Sequence, residues 1–186
     1  MPIDQKILPA VRNMKDFEKL LESPYEYLVL LDSHVSQLKS IVQIATRHNK
    51  KVLIHVDLIQ GLSNDEYAAE FLCQDIKAAG LISTRTSVIQ TAKKKGVLAI
   101  QRLFLLDSSA LNKSYALLKK TMPDYIEVLP GLMPDIIQEV HEETKIQILA
   151  GGLIRTVEDV DSALKAGAKA VTTSRTELWK HYVKNR

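Results

Sequence analysis

The sequence predicts a compact (β/α)8 barrel of the TIM type with short loops, spanning residues 1–186 as one domain. Three observations carry that prediction. Short apolar runs alternate with longer helical patterns almost from end to end, and strand-then-helix repetition builds a parallel sheet covered by helices. The repetition occurs eight times, enough to close a barrel, with a doubly wound open sheet as the competing arrangement. No Gly/Ser/Pro-rich linker divides the chain. At roughly 23 residues per unit it is shorter than the ~250 residues usual for such barrels, so its connections must be brief.

The units follow in order. Ile7–Val11 is a strand before a helix over Lys15–Leu21, and Tyr27–Leu31 leads into Ser36–Ala45, whose Leu38, Ile41, Val42 and Ala45 share one helix face. Val52–Val56 precedes a helix over Tyr67–Ala79 that Gly80 would stop. Leu81–Thr84 precedes Ser87–Lys95, stopped by Gly96, and Val97–Ile100 precedes Ser109–Thr121. Tyr125–Val128 comes before Pro134–Glu143, where proline suits a helix start. Ile146–Ala150 precedes Thr156–Ala166, with Thr156 and Asp159 as an N-cap pair and Gly167 at the C-cap. Ala170–Thr173 leads to the last helix, Thr176–Val183.

Composition narrows the class. Hydrophobic residues make up 46% and charged residues 25%, enough apolar material for a core. The N-terminus lacks the pattern of a signal peptide, and no apolar run nears the ~18 residues of a membrane span, so a cytoplasmic protein without a membrane partner is expected. A lone cysteine, Cys73, beside Phe71 and Leu72, reads as a buried structural thiol. The formal charge of +3 permits nucleic-acid binding without demanding it, because a clustered patch matters more than a mild excess. The densest clusters are Lys93, Lys94 and Lys95, and the tail with Lys180, Lys184 and Arg186. Each also reads as a solvated helix end whose cations suit the helix dipole.

Sites of such barrels lie at the carboxyl ends of the strands. Those ends carry Asp32 and His34, Asp57, Arg85, Gln101 and Arg102, Glu127, Gly151-Gly152, and Thr173-Ser174-Arg175. Alternation puts Val52, Ile54 and Val56 toward the helices and Leu53, His55 and Asp57 toward the axis. The same parity turns Tyr125 and Glu127 inward, so Asp57 and Glu127 are expected to converge at one mouth. Gly151 and Gly152 let backbone amides close on an anion, and Thr173, Ser174 and Arg175 open the final helix, whose dipole favours negative charge. A small phosphorylated ligand is therefore expected there, with Asp57, Glu127, Asp32, Arg85 and Gln101 around its polar remainder. Catalysis has weaker support: no lysine stands at an inward strand end for Schiff-base chemistry, and His55, Asp57, Asp32 and Glu127 show no diagnostic metal spacing. Asp57 and Glu127 suit either acid–base work or the binding of a polyol, and His55 suits either a base or a hydrogen-bonded interior histidine.

Tyr125-Ile126-Glu127-Val128-Leu129-Pro130-Gly131-Leu132-Met133-Pro134, then Ile148-Leu149-Ala150-Gly151-Gly152-Leu153-Ile154-Arg155-Thr156 and Ala166 through Trp179, resemble the glycerol-3-phosphate-responsive antiterminator family across essentially the whole chain. The glycine pair is shared by many phosphate-binding barrels; the Leu-Pro-Gly-Leu-Met-Pro and Thr-Ser-Arg-Thr-Glu-Leu-Trp segments are more specific. The resemblance implies a regulator of the bacterial glycerol uptake operon rather than an enzyme. Its effector would be glycerol 3-phosphate, with no cofactor or metal, and its partner the leader messenger RNA, for which Lys93, Lys94, Lys95, Lys180, Lys184 and Arg186 are the candidate contacts. Assembly with further copies of the chain stays open. The alternative is a phosphosugar isomerase or lyase on the same fold.

Overall fold

The structure is a computed structural model that describes residues 2–184. Strands β1 (Ile7–Val11), β2 (Tyr27–Leu30), β3 (Lys51–His55), β4 (Gly80–Ser83), β5 (Leu98–Phe104), β6 (Tyr125–Leu129), β7 (Gln147–Gly151) and β8 (Ala168–Thr173) close into one barrel, with β8 pairing back onto β1. Every pairing is parallel. One helix follows each strand: α1 (Met14–Leu21), α2 (Val35–Arg47), α3 (Glu66–Gln74), α4 (Thr86–Lys95), α5 (Ser108–Thr121), α6 (Pro134–Thr144), α7 (Val157–Lys165) and α8 (Thr176–Lys184). A two-residue pairing of Ser33–His34 with Ile59–Gln60 stands above the barrel ladder.

The strands are buried on both faces, which is why they read as continuous apolar runs. Their parity divides the core in two. Val52, Ile54, Ile126 and Val128 face the helices, whereas Tyr27, Leu53, Ile82, Ile100, Tyr125 and Leu149 fill the barrel axis. A closed sheet of this size leaves no pore below its mouth.

Two boundaries depart from expectation. The third helix ends at Gln74, not at Ala79, because Ile76 and Ala78 turn inward and Lys77 takes a left-handed φ of 61°. Gly80 is not a helix stop but the first residue of β4. A Cβ there would lie 2.7 Å from Leu98 Cβ and 2.8 Å from the Leu98 carbonyl oxygen, so glycine is needed for β4 and β5 to meet. Gly96 is the true stop, at φ 74°, with its amide on the Ala92 and Lys93 carbonyls. The other boundary is β5, which runs on to Phe104 because Gln101 to Phe104 pair with Ile126 to Leu129.

Candidate ligand site at the carboxyl mouth

A cavity of about 340 Å³ opens at the carboxyl ends of the strands, lined by residues that include Arg12, Arg102, Glu127, Gly152 to Arg155 and Thr172 to Arg175. Its wall is built by two loops. After β7, Gly152 and Leu153 both adopt left-handed backbone, at φ 74° and 59°. After β8, the Thr173 hydroxyl accepts the Arg175 amide at 3.2 Å, and the Trp179 indole N–H donates to the Thr173 carbonyl at 2.8 Å. Those bonds fix the turn into α8 and leave Ser174 and Arg175 exposed at the rim.

The two neighbouring helix starts differ in what they offer an anion. At α7 the Thr156 hydroxyl takes the Asp159 amide, while the Asp159 carboxylate takes the Arg155 and Thr156 amides at 2.8 and 2.9 Å. That capping box satisfies donors an anion could otherwise use. The Arg155 and Thr156 amides are thus already engaged.

Beneath the wall lies a buried polar layer. Arg102 Nε donates to Glu127 Oε2 at 2.6 Å, with the two side chains 10% and 0% exposed. Two charges taken from water in this way hold each other in place, and removing either would strand the other. Glu127 Oε1 has no partner, nor do Thr172 Oγ1 and the two ring nitrogens of His55. Burial and the Arg102 guanidinium push His55 down to about 4, against the Glu127 and Asp57 carboxylates, so the imidazole is neutral at neutral pH.

Of the residues expected from sequence, Gly152, Thr173, Ser174, Arg175 and Glu127 line this one cavity. Gly151 does not: it ends β7, buried, with its carbonyl accepting the Gly131 amide at 2.6 Å. A Cβ on Gly151 would lie 3.0 Å from Glu127 Oε1, so this glycine makes room for the carboxylate. The expected convergence of Asp57 with Glu127 is also modified. Asp57 leaves the strand in a 3-10 turn and accepts Ser83 Oγ at 2.5 Å, the Thr84 amide at 2.8 Å and Thr84 Oγ1 at 2.9 Å, tying β3 to the β4 loop outside the cavity. Asp32 pairs with Arg12 at 2.6 Å, and it is Arg12 that reaches the cavity. Arg85 precedes α4, exposed and away from the lining. Gln101 lies on the helix-facing side of β5, with Nε2 donating to the Ser83 and Thr84 carbonyls at 3.2 and 3.1 Å. Its neighbour Arg102 is the inward residue, and the parity of Leu98 and Ile100 could have chosen it had the strand been drawn long enough.

The basic candidates sit elsewhere. Helices run back from the mouth, so Lys93, Lys94 and Lys95 end α4 at the opposite rim. Lys93 pairs with Asp124 at 2.6 Å and Lys95 with Glu70 at 2.5 Å, while Lys94 and Lys180 are exposed. The Lys184 side chain and Arg186 lie outside the described residues. Cys73 is half-buried and its thiol is pushed up to about 11 by burial, which makes it inert. Among the described residues, no helix is long and apolar enough to cross a membrane, and no group of three or more His, Cys, Asp or Glu could hold a metal.

Fold and site together define a (β/α)8 barrel with an arginine-, glycine- and hydroxyl-lined mouth over a buried polar floor. Within that class the chain belongs to the glycerol-3-phosphate responsive antiterminator family, whose model matches residues 7–179. It is similar to the glycerol uptake operon antiterminator regulatory protein of Listeria monocytogenes, 50% identical, with a TM-score of 0.94 over 97% of this chain and 98% of that one. A glycerol uptake operon antiterminator-related protein of Thermotoga maritima is 29% identical, with a TM-score of 0.84 over 95% and 98%. An uncharacterized Escherichia coli protein, YgcP, is 32% identical over 173 residues, 93% of this chain and 91% of its own length.

Proposed function

We propose that this protein is a one-domain cytoplasmic regulator, not an enzyme, that binds glycerol 3-phosphate and, in response, the leader of a glycerol uptake operon messenger RNA, letting transcription continue past a terminator. The observation that carries the reading is the arginine- and hydroxyl-lined mouth in a chain of this family. The phosphate rests on the Gly152 loop, Thr173, Ser174 and Arg175, with Arg155 and Arg12 adding positive charge, and Gly151 supporting the site by admitting Glu127. Glu127 accepts a glycerol hydroxyl. Asp57, Asp32, Arg85 and Gln101 act behind it, through Ser83, Thr84 and Arg12.

For RNA the reading uses the exposed Lys94 and Lys180, with Lys93 and Lys95 released from their carboxylate partners on binding, and the tail beyond. The experiment titrates leader RNA with and without glycerol 3-phosphate, and the ligand with and without RNA, at fixed salt. Coupling must be equal in both directions. Lys94→Ala should flatten the salt dependence of RNA binding by about 0.7 in log–log slope, the value for one single-strand phosphate contact. A folded protein that binds the ligand yet shows no leader-RNA affinity in either condition would overturn the regulator reading, and turnover of a phosphosugar would replace it with the enzyme.

A further inference from the structure

Arg102, Glu127 and Thr172 are inward side chains that line the cavity under the mouth, and His55 is an inward side chain on β3 outside that lining. Arg102 on β5 and Glu127 on β6 are paired in register and joined by an ion pair. Gly151 on β7 follows, leaving Glu127 Oε1 the space a Cβ would take, and Gly151 is in register with Thr172 on β8. His55 ends β3 and feels both charges of the pair. Glu127 is 0% exposed, His55 2% and Thr172 6%, yet each holds polar atoms with no partner. Such atoms are costly when nothing answers them, and so they mark a place where a ligand could complete the bonding.

The charges divide between two levels. At the rim, Arg155 and Arg175 are exposed cations. In the layer below, the one cation and the one anion cancel, and His55 is neutral. A ligand that satisfies both levels has an anionic head and an uncharged tail that can donate hydrogen bonds, since Glu127 Oε1 only accepts. We propose that Arg102, Glu127 and Thr172 form a specificity filter that admits a phosphoester with a hydroxylated tail and rejects one whose tail bears a carbonyl or carboxylate. This rests on the reading that the mouth holds a phosphate. A carbonyl oxygen facing Glu127 Oε1 leaves two acceptors opposed in a dry site. A carboxylate adds a second negative charge beside one guanidinium.

The test is calorimetric titration of the full chain with glycerol 3-phosphate, dihydroxyacetone phosphate, 3-phosphoglycerate and inorganic phosphate. Wild type should bind the alcohol about tenfold or more tightly than the ketone, as expected where a site built for a hydroxyl meets an analogue lacking it. The carboxylate should bind more weakly still. Thr172→Val, close to isosteric, should weaken glycerol 3-phosphate by about tenfold, one lost hydrogen bond, while inorganic phosphate stays within about twofold. Glu127→Gln should narrow the gap between alcohol and ketone, because its amide can donate to a carbonyl. Equal wild-type affinity for alcohol and ketone would overturn the filter alone, as would variants that weaken glycerol 3-phosphate and inorganic phosphate in parallel. Failure of all four to bind folded wild type would overturn the phosphate reading and the filter with it.

Discussion

The two ends of the barrel axis both bury polar groups, and they treat them in opposite ways. At the amino end, Gln5 Nε2 donates to the Ile7 and Tyr27 carbonyls at 2.8 Å each, and its Oε1 accepts the Tyr27 and Glu26 amides at 2.9 and 3.2 Å. The Tyr125 hydroxyl accepts the Ile3 amide at 2.8 Å in the same plug. At the carboxyl end, His55, Glu127 and Thr172 are as deeply buried and are left with open atoms. Burial alone therefore does not distinguish the two ends. The amino end engages its polar groups within the fold, whereas the carboxyl end leaves several without a protein partner. Open polar atoms at the carboxyl end agree with the general placement of barrel sites at that face.

The sharpest way to break that contrast is Glu127→Ala, which leaves Arg102 buried without its partner and should cost about 3–5 kcal/mol in denaturant unfolding. A phosphate anion supplied to this variant should recover part of the loss by occupying the vacated place. If the variant unfolds like wild type, the ion pair does not organise the mouth.

Next comes His55. Burial and the Arg102 guanidinium depress its folded pKa to about 4 from the ordinary imidazole value of 6.5, so between those two pH values the unfolded chain holds a proton that the native chain refuses. Stability should fall as pH is lowered through that window, by on the order of 3 kcal/mol in total, and should not change further from this source below it. His55→Gln should remove the slope, and the difference between the two unfolding curves isolates this one group. An unchanged difference from pH 7 to pH 4 would show that the imidazole is not held neutral.

At the opposite end, Gln5→Leu should lower stability by about 2 kcal/mol, since it strands buried backbone groups of β1 and β2. Glycerol 3-phosphate affinity should not move once folding is restored by lower temperature. A ligand effect as large as the stability effect would mean the two ends are coupled. The smallest change is expected for Asp57→Ala, which frees Ser83 and the Thr84 loop at a cost of about 1–2 kcal/mol. Ligand affinity should shift by less than about threefold, or about 0.7 kcal/mol. A loss of tenfold or more would return Asp57 to the front of the site.

What the sequence made legible follows a pattern that these residues explain. The repeat of apolar runs located all eight strands, because a parallel strand buried on both faces has no alternative composition. Parity put Tyr125 and Glu127 inward and Ile126 and Val128 outward, as they are. The extent of β5 was not legible: Gln101-Arg102-Leu103-Phe104 is half polar, and only pairing with Ile126–Leu129 keeps it extended. That shortfall favoured Gln101 over Arg102. Gly80 is likewise illegible in the sequence, since a glycine after a helical pattern looks like a stop and only the crowding from Leu98 shows its role.

By itself, then, the sequence determined the fold, the inward carboxylate and the glycine- and hydroxyl-bearing loops of the mouth, because these depend on local periodicity and on residues whose backbone or side chain admits few roles. The tertiary structure decided what those residues are near. It gave Gly151 to Glu127 rather than to an anion, engaged Asp57 with Ser83 and Thr84, closed the start of α7 with its own Asp159, and left His55 and Thr172 without partners. Each of those outcomes depends on which distant atoms occupy the few ångströms around a polar group. Hydrogen bonding is short in range, so a chain read in one dimension carries no record of which groups it will leave unanswered.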